Sequence, residues 1–245
     1  MRFSTMIFPQ YEDARGMCVA ILGGGGKTSL LHRLGSELAE YFPRVLITAL
    51  TKSARHSEHP IFLLNEVLRD KIPGLFQQSN PLCIMNNAVG IDKLTGICEA
   101  DLAFLSNNSD CTIFEADGAR NLPLKAHLPH DPIVPEFTNH VIILVGADVV
   151  NTRLVDGKVH RPELFQQKWG IADKTRLDSD FIAHVLTAPQ GYQEKISSGT
   201  QPCYFVNKGD QYPEAAAELA RAIRRRTDAP IFWGSVHGNF LEIVR

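Results

Sequence analysis

The residues best suited to chemistry form one short stretch in which a run of glycines is followed by a lysine and two hydroxyl side chains. The stretch consists of Gly23, Gly24, Gly25, Gly26, Lys27, Thr28 and Ser29. Glycines allow the backbone N–H groups of a turn to approach a phosphate closely, because no Cβ restricts the backbone angles or holds the ligand away. Lys27 adds a positive charge for the terminal phosphates, and the Thr28 hydroxyl is a candidate Mg²⁺ ligand. The stretch predicts a phosphate-binding loop; the plainer alternative is a flexible hinge.

The glycine stretch departs from the common phosphate-loop pattern G-x-x-x-x-G-K-[ST], which has glycine where this chain has Ile21. It fits better the x-G-G-x-G-K-T form of the deviant phosphate loops. In those loops, the position that Leu22 occupies here holds a second lysine that acts across a dimer. Because leucine carries no charge, the sequence disfavours a dimer that depends on that lysine.

Two carboxylates, Glu115 and Asp117, follow an apolar strand-like run at residues 111–114. Alternation along an extended chain places both on the same face. The magnesium side of a phosphate site needs an acidic partner opposite Thr28, so both are candidate Mg²⁺ ligands. Together with Lys27 they are also the candidate catalytic residues. The alternative is an acidic β-turn without a ligand.

A second nucleotide signal is the N-K-x-D motif at the end of an apolar run, residues 203–206. By analogy with GTPases, Asp210 would accept hydrogen bonds from guanine, Lys208 would pack over the base and Asn207 would connect the loop to the phosphate side. Adenine would leave the carboxylate unpaired, at about 1–3 kcal/mol per lost partner. The motif favours GTP over ATP, although four residues alone are a weak match.

Further candidates follow the β-branched run at residues 44–50, which predicts a strand buried on both faces. Ligands of open α/β sheets bind at the carboxyl ends of strands, so Thr51 and Lys52 are expected near the phosphates. An ordinary turn at the end of the strand is the alternative. His56 and His59 lie in the polar segment beyond; with no cysteine and one carboxylate nearby, they are poor candidates for a metal site.

Residues 121–135 are rich in proline and predict an irregular loop that leaves the carboxylate-bearing edge. Lys125 within this loop is a candidate contact for a phosphate or an anionic substrate, and a solvated lysine is the alternative. His160 and Arg161 precede a helix that begins near Pro162, and they are candidates for contacting a substrate or sensing the nucleotide.

These residues require a scaffold of alternating strands and helices. Strand-like runs occur at residues 17–22, 44–50, 82–85, 111–114, 141–145, 203–206 and 231–235, the last of which is the expected final strand. Helical spacing occurs at residues 27–42, 60–70, 99–105, 178–186 and 213–226. The alternation favours an α/β fold, a three-layer P-loop NTPase-like domain with a mostly parallel central sheet, in which residues 1–245 form a single domain.

Composition narrows the function classes. The 245 residues are 44% hydrophobic, enough to bury a sizeable core. The formal net charge of −2 gives no reason to expect nucleic acid or an acidic membrane as partner. No apolar run reaches the roughly 18 residues of a membrane helix. The five cysteines lie far apart without a C-x-x-C pair, as expected of small core residues in a reducing compartment. We therefore expect a soluble, cytoplasmic protein.

Four stretches together carry a resemblance that covers nearly the whole chain: L-G-G-G-G-K-T-S-L, E-A-D-G-A-R-N-L-P-L-K with D-P-I-V-P, V-G-A-D with V-H-R-P-E-L-F, and N-K-x-D. They resemble the selenium-dependent hydroxylase accessory proteins, the YqeC family. Positions that match the family motifs are Gly23, Gly24, Gly25, Gly26, Lys27, Thr28, Glu115, Asp117, Lys125, Arg161, Asn207, Lys208 and Asp210. The chain departs from the family at residues 47–51, where a run of threonines is usual, so Thr51 and Lys52 remain the better candidates in that segment.

The resemblance implies a nucleotide-binding protein accessory to the maturation of selenium-dependent molybdenum hydroxylases, with GTP or ATP as ligand and Mg²⁺ as cofactor. The expected activity is slow NTP hydrolysis, more readily of GTP than of ATP, and the expected partners are a molybdenum hydroxylase or its cofactor-assembly proteins. One alternative is a kinase or nucleotidyltransferase acting on a molybdenum-cofactor precursor. Another is a nucleotide-gated adaptor that does not hydrolyse.

Overall fold

The computed structural model describes residues 1–7, 16–55, 58–197 and 199–245, and its centre is a nine-stranded sheet. In chain order the strands are β1 Met17–Gly23, β2 Val45–Ala49, β3 Ile61–Leu63, β4 Leu82–Met85, β5 Cys111–Glu115, β6 His140–Gly146, β7 Gln201–Asn207, β8 Ile231–Ser235 and β9 Phe240–Ile243. The α-helices are α1 Lys27–Ala39, α2 Ile72–Leu75, α3 Glu99–Asn107, α4 Pro162–Trp169, α5 Ser179–Thr187 and α6 Pro213–Arg224.

The strand order is β3-β4-β2-β5-β1-β6-β7-β8-β9, and every neighbouring pair is parallel except β8 with β9. Strand β1 lies at the centre, between β5 and β6. Register pairs Ile21 with Glu115 and Gly23 with Leu144, and β6 continues the edge by pairing Gly146 with Asn207. The carboxyl ends of β5, β1, β6 and β7 therefore lie side by side, so the glycine stretch, the carboxylates and the N-K-x-D segment share one edge.

Alternation along β1 divides the core between the two faces of the sheet. On one face, side chains of β1 pack with α1 in a cluster that includes Val19, Ile21, Leu30, Leu34 and Leu38. On the other face, β1 packs with side chains from α3, α5 and α6 in a cluster that includes Ala20, Leu22, Leu102, Ile182 and Leu219. Because helices cover both faces of the sheet, the strand sequences are continuous apolar runs rather than alternating apolar and polar residues.

Three small sheets are added around the carboxyl edge. Leu124–Lys125 pairs in parallel with Val159–His160, so the proline-rich loop is fixed to the segment that precedes α4. Ser53–Ala54, Lys93–Thr95 and Asn87–Val89 form a three-stranded antiparallel sheet, and Thr152–Arg153 pairs with Arg176–Leu177.

The sequence correctly predicts an α/β fold with a mostly parallel central sheet, and three local predictions are wrong. Residues 60–70 do not form a helix: they contain β3, which pairs with β4 at the sheet edge, and a 3₁₀ turn, Arg69–Lys71. The three consecutive apolar side chains of β3 are half-buried at the edge of the sheet. A short apolar run of this kind fits an edge strand as well as it fits a helix. Strand β8 is not the last one, because β9 follows it after a short turn. Helix α1 ends at Ala39 rather than at residue 42.

The cysteines follow the expectation of small core residues in four of five cases. Cys18, Cys83, Cys111 and Cys203 are buried in strands of the central sheet, and burial raises the pKa of each thiol. Cys98 is exposed at the start of α3, contrary to that expectation. None of the helices in the described part of the chain has the length and apolar character that a membrane span requires.

Candidate nucleotide site

The glycine loop between β1 and α1 has a backbone conformation that requires glycine. Gly23, Gly25 and Gly26 have φ angles of 102°, 90° and 118°, which residues with a Cβ rarely adopt. Gly24 is required for a different reason, because a Cβ there would lie 2.2 Å from the backbone oxygen of Leu122. The loop is therefore a fixed structure packed against its neighbours, which argues against the flexible hinge.

Backbone hydrogen bonds divide the loop into a part that holds it in place and a part that faces outward. The Gly24 N–H donates to the Leu144 carbonyl and the Gly25 N–H to the Leu122 carbonyl, each at 3.0 Å. The first intrahelical bond of α1 runs from the Leu30 N–H to the Gly26 carbonyl. In the described part of the chain, the four N–H groups of residues 26–29 therefore have no protein acceptor, as is usual for a helix start. They form a cluster of donors at the positive end of the helix dipole, suited to an anion.

Lys27 is the first residue of α1, and its buried side chain points back across the loop. Its Nζ donates to the Gly23 carbonyl at 2.7 Å and lies 3.2 Å from Asp117 Oδ1. Asp117 in turn accepts from the Gly23 N–H. One carboxylate thus fixes both the start of the glycine turn and the lysine that the sequence assigns to the terminal phosphates.

Glu115 and Asp117 both face the loop, but they have different partners. The Thr28 hydroxyl donates to Glu115 Oε1 at 2.5 Å, so the two predicted Mg²⁺ ligands lie in contact. Asp117 is surrounded by Lys27, Lys125 and His127, which engage both of its oxygens. Glu115 is therefore the better placed of the two to share a metal with Thr28, and Asp117 positions the cations. In the described residues, no group of three or more His, Cys, Asp and Glu side chains is arranged to hold a metal.

A buried charge network extends from Asp117 into the proline-rich loop. Lys125 lies 3.2 Å from Asp117 and donates to Asp131 at 2.9 Å, and its side chain has no exposed surface. The alternative of a solvated lysine is therefore wrong. Arg161 completes the network by bonding to Asp131 at 2.5 Å and to the Ala126 carbonyl at 3.1 Å. Lys125 and Arg161 are thus brought together by a carboxylate that sequence reasoning did not single out.

Two further residues of the network were also missed. His127 Nε2 lies 2.8 Å from Asp117 Oδ2, and the His127 ring packs edge-on against Tyr192, with 4.5 Å between ring centroids. The Tyr192 hydroxyl donates to the Lys125 carbonyl and accepts from the Lys125 N–H. Tyr192 is 67 residues away from Lys125 along the chain and belongs to no motif, so no sequence signal pointed to it.

The charges of this network set the protonation of its members. Burial alone would raise the pKa of Asp117, but Lys27, His127 and Lys125 outweigh that effect and hold its pKa well below the usual value. Burial lowers the pKa of His127, and the neighbouring carboxylate only partly offsets this. At neutral pH, therefore, Asp117 is ionised and His127 is a neutral imidazole that donates its Nε2 proton to Asp117.

The depressed histidine pKa values predict that folding stability decreases as the pH is lowered. Burial lowers the pKa of His127, and burial together with Arg161, Lys125 and Arg120 lowers that of His160 to about 4. Below about pH 6.5, His127 and His160 bind protons in the unfolded chain that they do not bind in the folded state. The free energy of unfolding therefore rises with pH. Urea denaturation at pH 7.5, 6.0 and 4.5 should show this slope, and the double variant His127→Gln/His160→Gln should flatten it. An equal slope in both proteins would contradict the prediction.

The N-K-x-D segment is joined to the phosphate loop by Asn207. Its Nδ2 donates to the Gly25 carbonyl at 2.8 Å, and its Oδ1 accepts from the Val236 N–H. Lys208 has a positive φ, and its ammonium lies 2.9 Å from Asp148 of the V-G-A-D stretch. Asp210 is exposed. The backbone thus places the segment beside the phosphate loop, while the base-binding roles of its side chains stay predictions.

The structure places the remaining candidate residues in different surroundings. Thr51 lies next to the carboxylate segment, since its Oγ1 is 3.9 Å from where a Cβ on Gly118 would stand. Lys52 is exposed. His160 is paired in register with Lys125. His56 lies outside the described residues, and His59 contacts Ser36 and the ring of His32.

Comparisons with known proteins agree with this arrangement of motifs. A family profile described as YqeC protein matches residues 19–163, a range that includes the phosphate loop, both carboxylates and the Lys125–Asp131–Arg161 network. A curated protein of Escherichia coli (strain K12), named Uncharacterized protein YqeC, is 25% identical over 243 residues, which cover 95% of this chain and 93% of that protein. No solved structure matches the chain.

Proposed function

The chain belongs to the YqeC family, as its motifs predicted, and we propose that it binds a nucleoside triphosphate with Mg²⁺ and hydrolyses it slowly. The observation that carries the proposal is the cluster of four outward-facing N–H groups at residues 26–29. The buried ammonium of Lys27 adjoins the same loop, 2.7 Å from the Gly23 carbonyl and 3.2 Å from Asp117. An anion with several oxygens is the ligand that such a cluster of donors and charge favours. We therefore propose that the α/β domain works as a P-loop NTPase-like domain.

In the proposed complex, the phosphates take the N–H groups of residues 26–29, and Lys27 turns from the Gly23 carbonyl to the terminal phosphate. Asp117 can give up its contact with Lys27 because Lys125 still balances its charge and His127 still donates a hydrogen bond to it. Mg²⁺ would take the Thr28 hydroxyl and Glu115, which already lie in contact, and fill its remaining positions with water and phosphate oxygens. The ion would neutralise the charge that develops on the phosphates during transfer.

Hydrolysis requires a water molecule to attack the terminal phosphorus in line with the bond to the leaving diphosphate. The loop, Lys27 and Mg²⁺ provide positioning and charge, which account for most catalysis of phosphoryl transfer. The motifs of the chain identify no glutamine or arginine finger that would orient that water. We therefore expect unassisted turnover to be slow. Single-turnover release of phosphate from GTP and ATP tests this step. It is measured with this protein alone and again with a molybdenum hydroxylase, the expected partner, added.

We propose GTP as the preferred nucleotide because the N-K-x-D segment is fixed beside the phosphate loop through Asn207 and Gly25. A guanine bound there would find the exposed carboxylate of Asp210 available for its ring N–H and amino group. Because Lys208 is paired with Asp148, its side chain would pack over the base only along its aliphatic part.

Replacing Asp210 by asparagine should weaken GTP binding by about tenfold or more and leave ATP binding nearly unchanged, since only guanine offers two donors to the carboxylate. Isothermal titration with GTP, ATP and CTP, each with Mg²⁺, measures both affinity and preference. The matched control is Asp228→Asn, another exposed carboxylate, which should change neither. A parent protein that prefers ATP would contradict the guanine assignment and leave the phosphate site intact.

We propose further that the nucleotide state controls a step in the maturation of a selenium-dependent molybdenum hydroxylase, as the family resemblance suggests. The expected partners are that hydroxylase or its cofactor-assembly proteins. A nucleotide-gated adaptor would show the same partner binding with the nucleotide intact.

A second candidate activity, phosphoryl or nucleotidyl transfer to a cofactor precursor, is favoured by the cationic network beside the loop. It predicts label from the nucleotide on a small molecule rather than in free phosphate.

A further inference from the structure

A tight turn that precedes the proline-rich loop carries an arginine in an unusual conformation. The Leu122 N–H donates to the Ala119 carbonyl at 2.9 Å, and the two central residues, Arg120 and Asn121, have φ angles of 50° and 62°. Such angles are uncommon for residues with a Cβ. They occur mainly where the surrounding structure stabilises them, and they are frequent at ligand-binding sites. The turn adjoins the phosphate loop directly, because the Leu122 carbonyl accepts from the Gly25 N–H.

Arg161 has the same unusual conformation on the neighbouring segment. Its φ is 60°, and it stands immediately before α4. Its guanidinium uses only Nη1 for protein contacts, to Asp131 and the Ala126 carbonyl. In the described part of the chain, the donors on Nε and Nη2 have no protein acceptor, and 29% of the side chain is exposed. A guanidinium fixed on one side in this way presents its other donors as a preformed fork.

Arg120 is exposed, and none of the ion pairs among the described residues includes it. Burial and the charges of Arg161, Lys125 and Arg120 lower the pKa of His160, and Asp131 acts in the opposite direction. The backbone of His160 is fixed by pairing with Lys125. Three cations, Lys27, Lys125 and Arg161, share two carboxylates, Asp117 and Asp131, and Arg120 adds a fourth positive charge without a carboxylate partner among the described residues. The excess of positive charge lies on the side of Arg120.

We propose that Arg120, His160 and Arg161 form a second anion site beside the phosphate loop, which holds the phosphoryl group of a phosphorylated small molecule other than the nucleotide. His160 and Arg161 stand next to each other before α4, and Arg120 belongs to the turn at residues 119–122, which adjoins the phosphate loop. Two guanidinium groups and an imidazole suit a tetrahedral dianion better than a planar carboxylate. The site itself does not depend on nucleotide binding. Its use as a site for a second substrate rests on the proposed function, and it would then place that substrate next to the terminal phosphate.

The first test is titration of inorganic phosphate into the nucleotide-free Lys27→Ala protein, in which the phosphate loop lacks its ammonium group and binds anions more weakly. We expect one site, with affinity lowered about 10- to 100-fold by Arg120→Asn, because a charge-assisted hydrogen bond is lost. Asparagine is chosen because it tolerates a positive φ. The matched control is Arg176→Ala, an exposed arginine of a different small sheet, which should leave the affinity unchanged. This arm remains informative even if the protein binds no nucleotide.

The second test repeats the phosphate titration on the parent protein saturated with Mg²⁺ and either a nucleoside diphosphate or a non-hydrolysable triphosphate. Binding to both forms supports a separate site. Binding to the diphosphate form alone would mean that the cluster receives the terminal phosphate of the nucleotide, which overturns the proposal. Equal affinity for acetate, or no effect of Arg120→Asn, would overturn it as well. Because Arg120 is exposed, its replacement should not impair folding, and an unchanged melting temperature checks this.

Discussion

Replacing Lys27 by alanine is expected to lower the affinity for a nucleoside triphosphate with Mg²⁺ by about 100-fold or more, equivalent to about 2.7 kcal/mol. The ammonium is buried, so in the proposed complex it would meet the phosphates with little competition from solvent. The loop itself should persist. The Gly23 N–H keeps its bond to Asp117, and Asp117 keeps Lys125 and His127 as partners. Isothermal titration with parent and variant measures the loss directly.

The matched control for this prediction is Lys174→Ala, which removes an exposed lysine and should leave affinity unchanged. Circular dichroism and the melting temperature of the Lys27 variant separate a loss of binding from a loss of structure. Equal affinity in parent and Lys27→Ala protein would exclude the phosphate loop as the nucleotide site. A parent that binds no nucleoside triphosphate at all would remove the proposed function altogether.

The largest effect on stability is expected from Asp117→Asn, which should lower the free energy of unfolding by about 3–5 kcal/mol. The side chain is fully buried and accepts from the Gly23 N–H while facing Lys27, Lys125 and His127. Asparagine keeps the size of the side chain but removes the charge. Two buried ammonium groups would then lack much of their compensation. Urea denaturation at neutral pH measures the difference.

The pH dependence of this difference provides an internal check. The surrounding cations hold the pKa of Asp117 well below its usual value, so its contribution is fully present above the unfolded-state pKa of about 4. It is lost progressively as the pH falls below that value, and the gap between parent and Asp117→Asn should narrow accordingly. The control Asp228→Asn, at an exposed position, should change stability by less than about 0.5 kcal/mol. A gap that stayed constant down to pH 3 would show that the charge of Asp117 is not what stabilises the fold.

Local sequence patterns predicted most of the scaffold because they report on burial and backbone geometry within a few residues. The strands β1, β2, β4, β5, β6, β7 and β8 are continuous apolar runs, which a sheet covered on both faces requires. Helical spacing over residues 178–186 predicted α5, and the Asp178 carboxylate caps its start by accepting from the Phe181 N–H. The prediction failed at residues 60–70, where a short apolar run fits an edge strand as well as a helix and only pairing with β4 decides between them.

The sequence by itself determined the family, the glycine loop between β1 and α1 and the two carboxylates that face it, because these depend on residue types at fixed short spacings. Only the tertiary structure decided how the charges are shared. It buried Lys125, which the sequence left open between a ligand contact and a solvated side chain, and it surrounded Asp117 with cations while leaving Glu115 against Thr28. It also brought in Asp131, His127 and Tyr192, which belong to no motif. Such contacts arise where parallel strands end at one edge and join segments far apart in the chain, so no local pattern encodes them.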